Sequence, residues 1–194
     1  GLETGATWQY RTDGGTWATG TGTSFTLGAG SHSYEVRQTD KAGNVSAASS
    51  ASTFVLDTAV ATPALVLATD SGSSSTDGIT NVSTVNVTGL ESGATWQYSL
   101  DGGSTWLTGS GSSFNLTPGT NTYVVRQTDA AGNTSLPSTG VNFTLDTAVL
   151  APVMTLAADT GTNTTDGVTS NATVNVSGLE TGATWEYRTD GGAW

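Results

Sequence analysis

The chain has 194 residues and a formal net charge of −11, with 16 acidic residues against five Lys and Arg. That balance argues against nucleic acid or an anionic membrane as partner, because both call for clustered Lys and Arg; it leaves divalent cations open. Cysteine is absent, which excludes disulfide staples and thiolate metal sites, and no run is apolar for long enough to insert directly in a membrane.

The chain repeats itself. Gly1-Leu-Glu-Thr-Gly-Ala-Thr-Trp-Gln-Tyr10 returns from Gly89 and again from Gly178, at spacings of 88 and then 89 residues. Arg37-Gln-Thr-Asp-Lys-Ala-Gly-Asn44 returns as Arg126-Gln-Thr-Asp-Ala-Ala-Gly-Asn133, and Phe54-Val-Leu-Asp57 as Phe143-Thr-Leu-Asp146. A unit of this length buries its own core, unlike the short units of solenoids. With the Leu-Asp-Thr stretch as the joint, residues 1–57 form a partial repeat, 58–146 a complete one and 147–194 a second partial one. The chain therefore reads as a slice of a longer array.

In chain order, residues 1–57 supply strands C to G. The complete repeat supplies strand A at 63–69, B at 82–89, C at 94–100, C′ at 105–108, E at 113–116, F at 121–128 and G at 140–146, and residues 147–194 supply A, B and C again. Most of these strands show period-two alternation, as at Val85/Val87, Trp96/Tyr98, Tyr123/Val125 and Phe143/Leu145, which places one face on a core and the other in water. No stretch keeps a helical period. Short strands between Gly-, Ser- and Asp-rich turns predict an all-β fold of immunoglobulin-like antiparallel sandwiches arranged end to end. Trp96 is the expected core tryptophan, and Tyr123 the expected tyrosine corner. Trp106, after a turn, is the aromatic best suited to a ligand platform.

The complete repeat holds six acidic residues, Asp70, Asp77, Glu91, Asp101, Asp129 and Asp146, and a single basic one, Arg126. All six fall in turns or at a strand end. The topology sorts Asp70, Asp77, Asp101 and Asp146 to one pole, and Glu91, Asp129 and Asn133 to the other. Stacked repeats would then gather Asp13 and Asp57 of one copy with Glu91, Asp129 and Asn133 of the next. Carboxylates converging without Lys or Arg repel one another unless a cation sits among them. Calcium fits an all-oxygen set. Its expected ligands are Asp13, Asp57, Asp70, Asp77, Glu91, Asp101, Asp129, Asn133, Asp146, Asp159, Asp166 and Glu180, with a second site inside Asp70-Ser-Gly-Ser-Ser-Ser-Thr-Asp-Gly-Ile79 and its copy from Asp159. The competing reading is that these residues build turns through bonds to nearby backbone N–H groups; for Asp101 and for Asp129 with Asn133 the two readings stand level. His32, the single histidine, is not repeated and reads as a surface residue.

No catalytic constellation is present. A lone histidine gives no triad, and the Gly-rich runs lack the Lys and helix of a phosphate loop. Ser99-Leu-Asp-Gly-Gly-Ser-Thr-Trp106 resembles the Asp-box of sialidase-like propellers, where it is a hairpin remote from the active site. The expectation is therefore a non-enzyme.

Trp-x-Tyr-Ser-x-Asp-Gly-Gly-x-x-Trp, then Arg-Gln-Thr-Asp-Ala-Ala-Gly-Asn, then Leu-Asp-Thr, in a repeat near 90 residues, resembles the bacterial Ig-like domains that fill the stalks of giant type I-secreted, RTX-type surface adhesins. The resemblance implies calcium at and near the joints, on Asp57, Asp70, Asp77, Asp129, Asp146, Asp159 and Asp166, and a secreted, cell-surface location. It implies a role in reach and adhesion, with neighbouring repeats as partners and a host or abiotic surface contacted through regions outside this chain. Two rival readings are an array of carbohydrate-binding modules, which needs exposed aromatics on one sheet face, and a self-assembling fibre subunit.

Overall fold

The computed structural model describes residues 1–194 and contains strands but no helices. The central repeat is a two-layer sandwich. One layer is three-stranded, in the order β10 (Ser113–Asn115), β7 (Thr84–Thr88), β5 (Ala64–Leu67). The other is five-stranded, in the order β6 (Ile79–Thr80), β12 (Val141–Leu145), β11 (Gly119–Thr128), β8 (Thr95–Ser99), β9 (Leu107–Thr108). All seven expected strands of this repeat form, each within a few residues of its expected range.

Their inward residues make one core: Leu65, Val85, Val87, Trp96, Phe114, Leu116, Tyr123, Val125, Phe143 and Leu145. Alternation along β7 and β11 puts these side chains on one face, and removing them from water drives the two layers together. Trp96 packs tilted against Phe114, its indole N–H donating to Gly111 O at 2.8 Å. The Tyr123 hydroxyl accepts from Thr117 N at 3.2 Å, which closes the tyrosine corner. The first repeat shows the same bonds, from Trp8 to Gly22 O and from Gly28 N to the Tyr34 hydroxyl.

The short β6 was not anticipated. It crosses to the opposite layer and runs parallel to β12, through Thr144 N to Gly78 O and Asp146 N to Thr80 O, both 2.9 Å. Gly78 makes the crossing possible: its φ is +75°, and a Cβ there would sit 3.0 Å from Asn142 O. The Asp-Gly step before it recurs as Asp166-Gly167.

The flanking repeats depart from expectation where a strand lacks its neighbour. In the first, β1 (Thr7–Thr12), β2 (Ala18–Thr19), β3 (Gly30–Thr39) and β4 (Ser52–Leu56) form one sheet in the order β2-β1-β3-β4. The expected E segment around Phe25 has only an isolated bridge, Thr21 to Ser24. Its counterpart β10 is held by β7, and no such strand lies beside Phe25. In the third, β13 (Val153–Leu156) pairs with β14 (Val174–Ser177), but the expected strand C around Trp185 is irregular. The counterpart β8 is bonded on both sides, to β11 and β9.

Candidate functional site

The hydrogen bonds divide the acidic residues between two ends of the central repeat. Glu91, Asp129 and Asn133 share the end where β8 begins and β11 finishes; Asp70, Asp77, Asp101 and Asp146 share the other, where β6 and β12 meet. Nowhere in the chain do three His, Asp or Glu side chains come together. Of the expected gathering of Asp13, Asp57, Glu91, Asp129 and Asn133, the structure brings three residues together, Asn133 Nδ2 donating to Asp57 O at 3.1 Å and to Asp129 Oδ2 at 2.8 Å, and the local donors around each residue explain the arrangement.

Asp101 is taken up by its own hairpin. It accepts from Ser99 Oγ at 2.6 Å, Ser104 N at 3.0 Å, Thr105 N at 2.9 Å and Thr105 Oγ1 at 2.7 Å. These bonds, led by that from Ser99, hold its carboxyl far below the usual range. The Ser-x-Asp-Gly-Gly-Ser-Thr pattern is thereby explained as a hairpin lock. Asp129 closes a turn instead: Oδ1 accepts from Asn133 N and Oδ2 from Asn133 Nδ2, both at 2.8 Å, and its pKa is lowered, chiefly by the Asn133 side chain. Asp40 and Asn44 repeat this turn in the first copy.

Asp13 belongs to a turn one residue shorter than that of Asp101, and its backbone is left-handed at φ +51°. It accepts from Ser33 N at 2.8 Å and pairs with His32 Nδ1 at 2.7 Å. His32 is half-buried, and its Nε2 lies 2.9 Å from Ala29 O. The partnership of His32 with Asp13 is a feature the sequence concealed. In the complete repeat Asn121 holds the histidine's place.

Glu91 and Glu180 hold backbone. Glu91 Oε1 accepts from Ala61 N at 2.8 Å, and Glu180 Oε1 from Leu150 N at 3.1 Å. Asp57 and Asp146, both exposed, each cap the turn that follows them, Oδ1 accepting from Ala59 N and Ala148 N.

The loop from Asp70 to Gly78 differs from all of these. Asp70 Oδ2 accepts from Gly78 N at 3.1 Å, while Oδ1 is buried without a partner. Asp159 repeats both facts: Oδ2 accepts from Gly167 N at 3.1 Å and Oδ1 is buried and unpartnered. Asp77 and Asp166 stand beside them, each with Oδ1 accepting from the N–H two residues on. A buried carboxylate oxygen with no donor is costly. The same unpartnered oxygen recurs in both copies of the loop.

The arginines make no contribution here. All four lie over tryptophan rings: Arg11 and Arg37 over Trp17, Arg126 over Trp106 and Arg188 over Trp194, at 4.0–4.8 Å from the ring centroids. Arg126 also donates twice to Gln97 Oε1, across the β8–β11 pair. Trp96 is buried, Tyr98 stacks on Phe114 at 4.2 Å and Trp106 lies half-buried under Arg126. The row of open aromatic rings that a sugar-binding face requires is therefore not formed on the five-stranded sheet.

No curated protein matches the chain. Residues 59–147, which span the complete sandwich, match the family model described as a bacterial Ig-like domain.

Proposed function

We propose that this chain is part of the stalk of a repetitive bacterial surface adhesin, secreted and cell-attached, in which Ig-like repeats stand end to end and calcium stiffens the joints. Its work is mechanical. Each sandwich adds about 35–45 Å of reach, from strands of some eight to ten residues at ~3.3 Å each plus turns. A binding region elsewhere in the protein is carried to a host or abiotic surface, for adhesion or biofilm formation.

The observation that carries the calcium reading is the pair of unpartnered buried oxygens, Asp70 Oδ1 and Asp159 Oδ1. The ion would be held by Asp70 with Asp77, and by Asp159 with Asp166. Calcium supplies charge compensation and fixes a loop that is otherwise short of donors. That loop bears on the joint: Ser71, Gly72 and Asn81 share a surface groove with Asp146, Val149 and Glu180. Ordering one wall of the groove restricts bending across it. The carboxylates of Asp101 and Asp129 are engaged by donors of their own turns.

Calorimetric titration with calcium tests the assignment. The wild-type chain is expected to bind it, and Asp70→Asn with Asp159→Asn to abolish that binding while the fold is kept. Undiminished binding in the double variant would overturn the assignment.

A further inference from the structure

The segment after β4 has no slack. Leu56 is the last residue of β4, paired with Gly30. The next residue, Asp57, is already held by the following repeat, its carbonyl accepting from Asn133 Nδ2 at 3.1 Å. Four residues on, Ala61 is held at both backbone groups. Its N–H donates to Glu91 Oε1 at 2.8 Å, and its carbonyl accepts from Gln127 Nε2 at 2.8 Å. Gln127 is fully buried, and its side-chain bonds are complete: Nε2 also donates to Gly89 O at 3.0 Å, and Oε1 accepts from Glu91 N at 2.9 Å. A buried amide with every bond made is fixed in position.

We propose that the end of the central repeat bearing Glu91, Gln127 and Asn133 clasps the backbone that enters it from the first repeat, from Asp57 to Ala61, and that this clasp fixes the first joint without metal. Recognition through N–H and C=O explains why the gripped residue changes from Ala61 to Leu150 while the grip persists, Leu150 N donating to Glu180 Oε1. The first repeat presents the same receptor parts: Gln38 Oε1 accepts from Glu3 N at 3.1 Å, and Asn44 closes on Asp40 as Asn133 does on Asp129. The usefulness of the clasp rests on the extender reading, but its geometry does not depend on calcium. Clasp and cation act on different sides of a joint, the clasp binding the linker to the repeat after it and the loaded loop bearing on the linker from the repeat before.

The absence of cysteine makes the test clean. Spin labels on Ala18→Cys and Leu107→Cys, equivalent exposed strand positions of the first two repeats, report the joint as a distance distribution by pulsed electron resonance. With otherwise native sequence the distribution is expected to be narrow in saturating calcium and equally narrow in chelator. Adding Glu91→Ala and Asn133→Ala, in saturating calcium, is expected at least to double its width while circular dichroism shows the melting transition kept. If the double variant loses that transition, Asn133→Ala alone is read in the same way, since it leaves Glu91 and Gln127 in place. A folded variant with an unchanged distribution, or a native joint that broadens on chelation, would overturn the clasp. Neither result bears on calcium binding at Asp70, which the titration decides separately.

Discussion

At the scale of single residues, the same amino acid serves different ends according to the donors its turn supplies. Asp101 and Asp129 are filled by N–H and O–H groups, whereas Asp70 Oδ1 has none. His32 shows the complementary case. Both ring nitrogens face acceptors, Asp13 Oδ2 and Ala29 O. A neutral imidazole has one N–H and cannot donate to both, so the geometry suits the imidazolium. The Asp13 side chain first, and Ala29 O second, raise the His32 pKa, and His32 in turn lowers that of Asp13. The histidine's stabilising contribution is therefore complete below its unfolded value, about 6.5, and is lost as pH rises through the higher folded value. The aspartate's contribution is present above its unfolded value, about 3.9, and is lost as pH falls through the lower folded one. As the chain's only histidine, His32 gives an unambiguous resonance titration. Its midpoint is expected above about 6.5 and is expected to fall in Asp13→Asn; a native midpoint at or below the unperturbed value of about 6.5 contradicts the pairing.

At the scale of elements, the loop after β9 is shaped by the tryptophan it covers. Gly109 N donates to Trp96 O at 2.9 Å, and a Cβ at Gly109 would lie 2.3 Å from the indole ring. Gly20 stands to Trp8 in the same relation, at 2.2 Å. Ala at Gly109 must displace either the indole or the strand. It is expected to cost about 1–3 kcal/mol, as overpacking does, and a denaturant melt that leaves the midpoint unmoved would contradict this packing. The sequence carried these contacts only in part. Alternation located the strands of the complete repeat, because inward and outward positions differ in polarity at most steps, Val66 and Val124 being exceptions. The two-residue β6 has too little pattern to be read, and only Gly78 hints at the close approach it makes. Phe25 and Trp185 alternate as strands do, yet both segments stay irregular, because a strand also needs a neighbour and pattern cannot supply one. The placing of acids at two ends was legible from topology. The partners of each carboxylate were not, since they are backbone and side-chain groups whose direction depends on the turn: Asp101 is filled by Ser99, Ser104 and Thr105, while Asp70 keeps a bare oxygen.

At the scale of the whole molecule, the first joint has the clasp alone, and two kinds of restraint meet at the second. The linker is gripped by the repeat that follows it, and the Asp70 loop of the repeat before shares a groove with the next linker and with Glu180. On the proposed calcium reading, removing the ion leaves carboxylates that repel one another within the loop and loosen the groove wall. The most direct measurement of the central claim is small-angle X-ray scattering of the chain in saturating calcium and after chelation. Removing calcium is expected to give a smaller maximum dimension and a more flexible profile; superimposable profiles in the two conditions would contradict stiffening by calcium.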